Sequence, residues 1–301
     1  MKVLLTGASG FIGKNLKPAL SKSHEVFAPG SDHTDLRSQS QVSRLLSVHS
    51  FKPDAIIHAA GTVGGIGANK ENPGKFLYEN LIMGANLIHE ALLNDVPKFV
   101  LFGTVCSYPK HTPAPFKESS LWDGYPEETN APYGIAKKAL MEMLSAYHQQ
   151  YEFNSTTLLP TNMYGPEDHF NLTSSHVIPA IIVKVRNAMS AKEKSITLWG
   201  TGQASREFLF VEDCVEAVEL ALEKDTPPEP INIGNGKEVK ISELAELICE
   251  LMGFDGEILY DTTKPDGQPR RCLDVSRAKD VLGFEAKTSL REGLQKTLEA
   301  R

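Results

Sequence analysis

Apolar positions in the first half of the chain alternate between two textures. Residues 2–6, 25–28, 54–58, 98–103 and 156–160 form short, nearly continuous apolar runs, which predict strands. Between them, residues 11–22, 38–49, 76–93 and 133–151 repeat apolar side chains every three or four positions, which predicts helices. Strand alternating with helix implies right-handed βαβ units and a parallel sheet covered on both faces, and unbroken apolar strands fit that double burial. Pro18 falls well inside the first helical stretch, where it removes a hydrogen bond and should distort the helix without ending it.

After Pro160 the regularity loosens. Residues 164–175 read as a polar, turn-rich loop, 177–189, 212–223 and 241–252 as helices, and 231–233 as a short strand. Trp199-Gly200-Thr201-Gly202 signals a turn. Residues 261–271, rich in Lys, Arg, Pro and Gly, read as an ordered functional loop or a surface linker.

Composition narrows the classes. The formal charge of −7 argues against a surface built to neutralise nucleic-acid phosphates or anionic lipid, so any anionic ligand needs a local basic site. Apolar content of 41% with 23% charged residues describes an ordinary globular protein, and the apolar runs are far too short for a membrane span. Gly7 interrupts the N-terminus before a secretory apolar core develops, so a cytoplasmic location is expected. Cys106, Cys214, Cys249 and Cys272 are widely separated, a reduced inventory and not a disulfide framework. The nine histidines lack metal-ligand spacing, and no metal is expected.

Gly7-Ala8-Ser9-Gly10-Phe11-Ile12-Gly13 has the spacing G-x-x-G-x-x-G where a strand ends and a helix begins. Glycines there permit a tight turn and close backbone approach, and a helix N-terminus offers free N–H groups to a pyrophosphate. The expected architecture is therefore α/β, a doubly wound parallel Rossmann sheet with a smaller C-terminal substrate-binding domain. Residues 1–165, with a return near 207–235, would form the first, and residues 166–206 and 236–301 the second. At the end of the second strand, Ala28-Pro29-Gly30-Ser31-Asp32-His33 places no acid at the strand end itself and no Arg for a 2′-phosphate; Asp32 belongs either to the loop or to a ribose.

Tyr133 and Lys137 are four apart on a predicted helix, hence one turn apart on one face. An unperturbed tyrosine, with a pKa of ~10, is a poor proton donor and acceptor at neutral pH, and a nearby ammonium favours its phenolate. The same lysine can hold a nicotinamide ribose. Thr104, just after a strand end, can hydrogen-bond a substrate carbonyl. Y-x-x-x-K arises by chance on many helices; the Gly turn and the His58-Ala59-Ala60-Gly61 strand end are what favour the catalytic reading.

With these residues the sequence resembles the extended short-chain dehydrogenase/reductase superfamily. Further segments resemble those of the GDP-L-fucose synthase family: Val63-Gly64-Gly65-Ile66-Gly67-Ala68-Asn69, Cys106-Ser107-Tyr108-Pro109-Lys110, Pro160-Thr161-Asn162-Met163-Tyr164-Gly165-Pro166, Ser175-His176-Val177-Ile178-Pro179-Ala180, the Trp199 turn, and Lys264-Pro265-Asp266-Gly267-Gln268-Pro269-Arg270. The resemblance implies conversion of GDP-4-keto-6-deoxy-D-mannose to GDP-L-fucose, by epimerisation at C3 and C5 and then reduction of the C4 ketone with NADPH. It implies Cys106 and His176 as the epimerisation acid and base, Tyr133 as proton donor to the C4 oxygen, and Lys137 as its tuning partner. A thiol near ~8.5 and an imidazole near ~6.5 bracket neutral pH, which suits proton exchange on opposite faces. Either residue also has an ordinary use, Cys106 in packing and His176, like Ser174 or Ser175, as a helix cap.

By the same resemblance NADP(H) would contact Gly7, Ser9, Gly10, Phe11, Ile12, Gly13, Ala59, Ala60, Tyr133, Lys137, Pro160, Asn162 and His176. The GDP-sugar would meet Asn162, Lys184, Trp199, Arg206 and Arg270 or Arg271, the cations neutralising the diphosphate. A homodimer through helices 76–93 and 133–151 is expected. Two departures stand out: Thr104 replaces the more usual serine, and Val105 a commonly small polar residue. Rival readings are a reductase or epimerase of another GDP-keto sugar (a heptose or 3,6-dideoxyhexose), an NAD-dependent nucleotide-sugar 4-epimerase, and a non-catalytic dinucleotide-sensing protein.

Overall fold

A computed structural model describes residues 1–47, 51–64, 66–170, 176–264 and 266–300. In chain order the elements are β1 (Lys2–Thr6), α1 (Phe11–Leu20), β2 (Glu25–Phe27), α2 (Gln39–Ser47), β3 (Ala55–His58), α3 (Ile66–Glu71), α4 (Pro73–Leu93), β4 (Lys98–Phe102), α5 (Ala131–Tyr151), β5 (Ser155–Pro160) and β6 (Asn162–Tyr164). They continue with α6 (Val177–Ala191), β7 (Ser195–Trp199), β8 (Ser205–Phe210), α7 (Val211–Glu223), β9 (Ile231–Ile233), β10 (Glu238–Lys240), α8 (Ile241–Met252), β11 (Glu257–Asp261), β12 (Arg270–Arg271) and α9 (Leu290–Glu299).

Six strands form one parallel sheet in the order β2-β1-β3-β4-β5-β9. Successive side chains on a strand point to opposite faces, and here both faces are apolar. Val3, Leu5, Ala55, Ile57, Val100 and Phe102 pack towards α1 and α7, whereas Leu4, Ile56, Phe99 and Leu101 pack towards α2, α4 and α5. This explains why the strands read as unbroken apolar runs. The helix α4 lies close along α5 because Gly84 has no side chain; a Cβ there would stand 2.2 Å from Leu140 Cδ1. Because β1 is flanked by β2 and β3, the chain winds away from it in both directions. That reversal opens a crevice at the carboxyl ends of β1 and β3.

The helix α1 runs through Pro18 to Leu20, so the proline does not end it. The second helix is described to Ser47, and the predicted continuation to His49 lies outside the described residues, as do Gly65, Asn171 to Ser175 with the two serines named as alternative caps, and Pro265.

A second, smaller core holds Tyr164, Ile182, Phe208, Phe210, Ile248 and Leu294. Its sheet centres on β8, which pairs antiparallel with β10 and parallel with β12 and β6; β7 and β11 form a separate parallel pair. The return to the six-stranded sheet is made by α7 and β9, while β8 itself belongs to the smaller sheet. Periodicity does not reveal β6, β7, β8, β10, β11, β12 or α9. Most of these strands are three to six residues long, and β12 has two, too short to establish an alternation.

Candidate active site

The crevice at β1 and β3 is built by glycines with different jobs. Gly7 has φ +77°, and a Cβ on it would stand 2.5 Å from Ala60 N and 2.6 Å from Ala59 C. Gly13 is buried in the first turn of α1, where a Cβ would fall 2.1 Å from Gly7 O. Both glycines are thus required by the protein's own packing. Gly10 is not: the nearest atom to its Cβ position is Gly7 O at 3.4 Å, an ordinary contact. Gly10 is the N-cap of α1 with no side-chain cap bond, and the first turn carries no acid. Backbone N–H groups and the positive helix end therefore face an approach that the protein leaves clear, as a dinucleotide diphosphate requires. Ser9 is exposed beside it, and Phe11 and Ile12 are half-buried.

Beyond β2, Asp32 pairs with His33 at 3.0 Å, and this hydrogen bond lowers its carboxyl below the usual range. Arg37 is held by Asp35 at 2.9 Å and by Glu79 at 2.9 Å.

The second cluster forms where β4 meets α5. The Thr104 hydroxyl accepts from Cys106 N at 3.2 Å and caps the short 3-10 turn Val105–Ser107. That turn sits on α5 at Gly134, where a Cβ would stand 2.5 Å from Cys106 O, and Ser107 Oγ donates to Gly134 O at 3.0 Å. Spacing along the chain does not single out Gly134, although it adjoins Tyr133, because its contact partner lies on a distant segment.

The Tyr133 phenol lies near Thr104 and Cys106. Burial and the neighbouring Cys106 thiol raise its pKa, and the threonine hydroxyl opposes them. One turn on, Lys137 is only 3% exposed, with Nζ 6.0 Å from the Tyr133 ring centroid. Burial lowers its pKa to about 8. His58, at the end of β3, is fully buried with Nδ1 2.9 Å from Thr6 Oγ1, and Nε2 has no hydrogen-bond partner among the described residues. Burial and then the Lys137 charge lower it to about 3, so the imidazole is neutral at neutral pH.

The third cluster lies between the two cores. Asn162, Met163, His176, Pro179, Arg206 and Phe208 line a cleft of 160 Å³. The Asn162 amide donates to Glu207 O at 2.9 Å, and Pro160 is buried at the end of β5. His176 occupies the N-cap position of α6, yet its side chain makes no cap bond and is exposed. The Arg206 guanidinium donates to Ser205 O at 2.7 Å and Asp266 O at 3.3 Å. Burial and the nearby Arg271 cation lower it to about 10, so a dianion placed here would relieve both burdens.

The remaining sequence candidates do not line this cleft. Lys184 Nζ donates to Thr197 O at 2.6 Å, tying α6 to β7. Arg270 is exposed and held by Glu238 at 3.0 Å, whereas Arg271 turns to Gln268. Trp199 is 67% exposed beneath Lys264, whose Nζ lies 5.7 Å from its ring centroid. Of the two arginines, Arg271 is therefore the one close to Arg206.

A glycine turn between strand and helix, a Thr-Tyr-Lys cluster and a cleft holding Arg206 mark an oxidoreductase/epimerase of the extended short-chain dehydrogenase/reductase type. A family model described as the NAD dependent epimerase/dehydratase family matches residues 3–234. The chain is 41% identical over 300 residues to a GDP-L-fucose synthase of Sinorhizobium fredii, covering 99% of this chain and 95% of that protein. It is 37% identical over 302 residues to a GDP-L-colitose synthase of Yersinia pseudotuberculosis, covering 99% and 97%. Among solved structures, a GDP-mannoheptose C4 reductase from Campylobacter jejuni with NADP bound superposes with a TM-score of 0.90 at 28% identity, covering 99% and 97%. The chain belongs to the GDP-L-fucose synthase family. No helix among the described residues is long and apolar enough to cross a membrane.

Proposed function

We propose that the chain converts GDP-4-keto-6-deoxy-D-mannose to GDP-L-fucose, epimerising C3 and C5 before reducing the C4 ketone. The observation that carries this reading is that the short turn bearing Thr104 and Cys106 packs on α5 at Gly134, next to Tyr133 and one helical turn from the buried Lys137. A simple reductase needs the phenol, the hydroxyl and the lysine and has no use for a thiol there.

NADPH, when bound, supplies the hydride. The amides of Ser9, Phe11, Ile12 and Gly13 would hold its diphosphate, beside Gly10, whose own N–H donates to Gly7 O, and with Gly7 pressed against Ala59 and Ala60 to shape the turn. Lys137 would hold the nicotinamide ribose, and Pro160, Asn162 and His176 would flank the nicotinamide side. The 4-keto group acidifies the C–H bonds at C3 and C5. One of Cys106 and His176 removes each proton and the other returns one to the opposite face, so no net proton is consumed in epimerisation. In reduction, Thr104 positions the C4 oxygen and Tyr133 gives it a proton, leaving a phenolate that the Lys137 ammonium stabilises. Arg206 and Arg271 would hold the substrate diphosphate, with Trp199 beside the guanine or sugar. Lys184, tied to Thr197, and Arg270, tied to Glu238, are the weaker ligands.

The enzyme is further proposed to form a homodimer through α4 and α5, whose outer positions include the exposed Leu77, Tyr78 and Tyr151.

The test is anaerobic incubation with GDP-4-keto-6-deoxymannose and NADPH, following absorbance and identifying the product by NMR. GDP-L-fucose with one NADPH consumed per product is expected. An unepimerised sugar would keep the reductase and overturn the roles of Cys106 and His176. Turnover only of a GDP-keto-heptose or a 3,6-dideoxy sugar would overturn the substrate assignment, as the colitose and heptose relatives make a direct comparison.

A further inference from the structure

Glu207 follows the cleft residue Arg206 on β8 and is fully buried. Its Oε1 accepts from Asn235 N at 2.6 Å and Gly236 N at 2.7 Å, and its Oε2 accepts from Leu273 N at 2.7 Å. Its own carbonyl accepts from Asn162 Nδ2 at 2.9 Å and Thr161 Oγ1 at 3.3 Å. One residue therefore joins three chain segments. They are the β5–β6 junction that carries Asn162, the turn after β9 at the edge of the large sheet, and the end of the loop that carries Asp266 and Arg271. No salt bridge to Glu207 occurs among the described residues. Backbone N–H groups hold the buried carboxylate, and such charge-assisted bonds are stronger and more directional than neutral ones.

We propose that Glu207 is the positioning residue that holds Arg206 and Arg271 together as one diphosphate site. The backbone register already sets Arg271 opposite Arg206 across β12 and β8. A two-residue strand cannot hold two mutually repelling guanidinium groups in place by itself. The Glu207 to Leu273 bond fixes the chain two residues beyond Arg271, and the Oε1 pair fixes β8 to the large sheet. Arg206 is thus referred to the β9 edge of the large sheet as well as to the loop.

This proposal deepens the GDP-sugar reading and rests on it. Glu207→Gln keeps the shape, and its amide oxygen can still serve the Asn235 and Gly236 amides. The amide nitrogen then faces the Leu273 N–H, donor against donor, and releases the loop. Gly234→Ala tests the same clamp without changing the carboxyl, because the new Cβ would stand 2.1 Å from Glu207 Oε1 and push the side chain aside.

In full-length protein, GDP affinity by calorimetry, KM for the GDP-keto sugar, KM for NADPH and kcat are measured for wild type and both variants. The expected result is a ~10-fold or greater loss of GDP affinity and a matching rise in KM for the sugar, with kcat and the NADPH KM moving less than ~3-fold. If Glu207→Gln does not fold, Gly234→Ala decides alone. A folded variant that loses kcat while GDP affinity stands, or that changes nothing, overturns the Glu207 assignment and leaves the substrate reading intact. A wild type that neither binds GDP nor turns over a GDP-keto sugar overturns the substrate reading, and the diphosphate clamp with it.

Discussion

His58 couples the fold to the chemistry through protonation. Its imidazole is fully buried at the end of β3, lies in the field of Lys137, and has its pKa lowered to about 3. In the unfolded chain the same group titrates near ~6.5. Between these values the unfolded chain binds a proton that the folded chain excludes. Stability therefore rises with pH across this window and is lost as pH falls from about 6.5 towards 3. Working the two titrations between pH 7 and pH 5 gives a loss of about 2 kcal/mol from this one group.

The perturbation is His58→Asn, which keeps a polar atom for the Thr6 hydroxyl and removes the titration. Reversible urea denaturation at pH 7 and pH 5 should show the wild type losing about 2 kcal/mol more than the variant. Equal losses in the two proteins would refute the reasoning, since every other titrating group is common to both. The same neutrality matters to the site: a protonated His58 would add a second buried cation beside Lys137 and weaken its charge.

Tyr133→Phe should lower NADPH-dependent reduction ~10²- to 10⁴-fold while leaving cofactor binding by fluorescence titration unchanged. Cys106→Ser should retain NADPH oxidation while NMR of the product shows incomplete epimerisation. Gly13→Ala should abolish cofactor binding and cost ~1–3 kcal/mol of stability by thermal unfolding and titration, because its Cβ would stand 2.1 Å from Gly7 O. Tyr78→Glu on α4 should yield a monomer by light scattering if that face forms the dimer.

Several of these residues are legible in the sequence itself. The Gly7 to Gly13 turn is one, because strand, turn and helix are consecutive, so a local pattern states a local geometry. Tyr133 and Lys137 are legible for the same reason, as four positions on one helix make one face. The large sheet follows from apolar runs buried on both sides, and α1 continues through Pro18 to Leu20.

Other features depend on partners far along the chain. His58 reads as part of a strand end, and only packing against α5 gives it a lysine neighbour and leaves Nε2 without a partner among the described residues. Arg270 and Arg271 are adjacent and chemically identical in sequence; the alternation of a strand two residues long sends one to Glu238 and the other towards Arg206. Glu207 stands between Arg206 and an apolar run, where the pattern gives no sign that the carboxylate is buried, and its donors are 28, 29 and 66 residues away. The order of residues is enough to specify the βαβ frame, the glycine turn and the Tyr-Lys pair, because their geometry is set within a turn or two of backbone. The smaller sheet, the choice between the arginines and the clamp beneath them come from tertiary packing, because short strands acquire register and burial only from non-local partners.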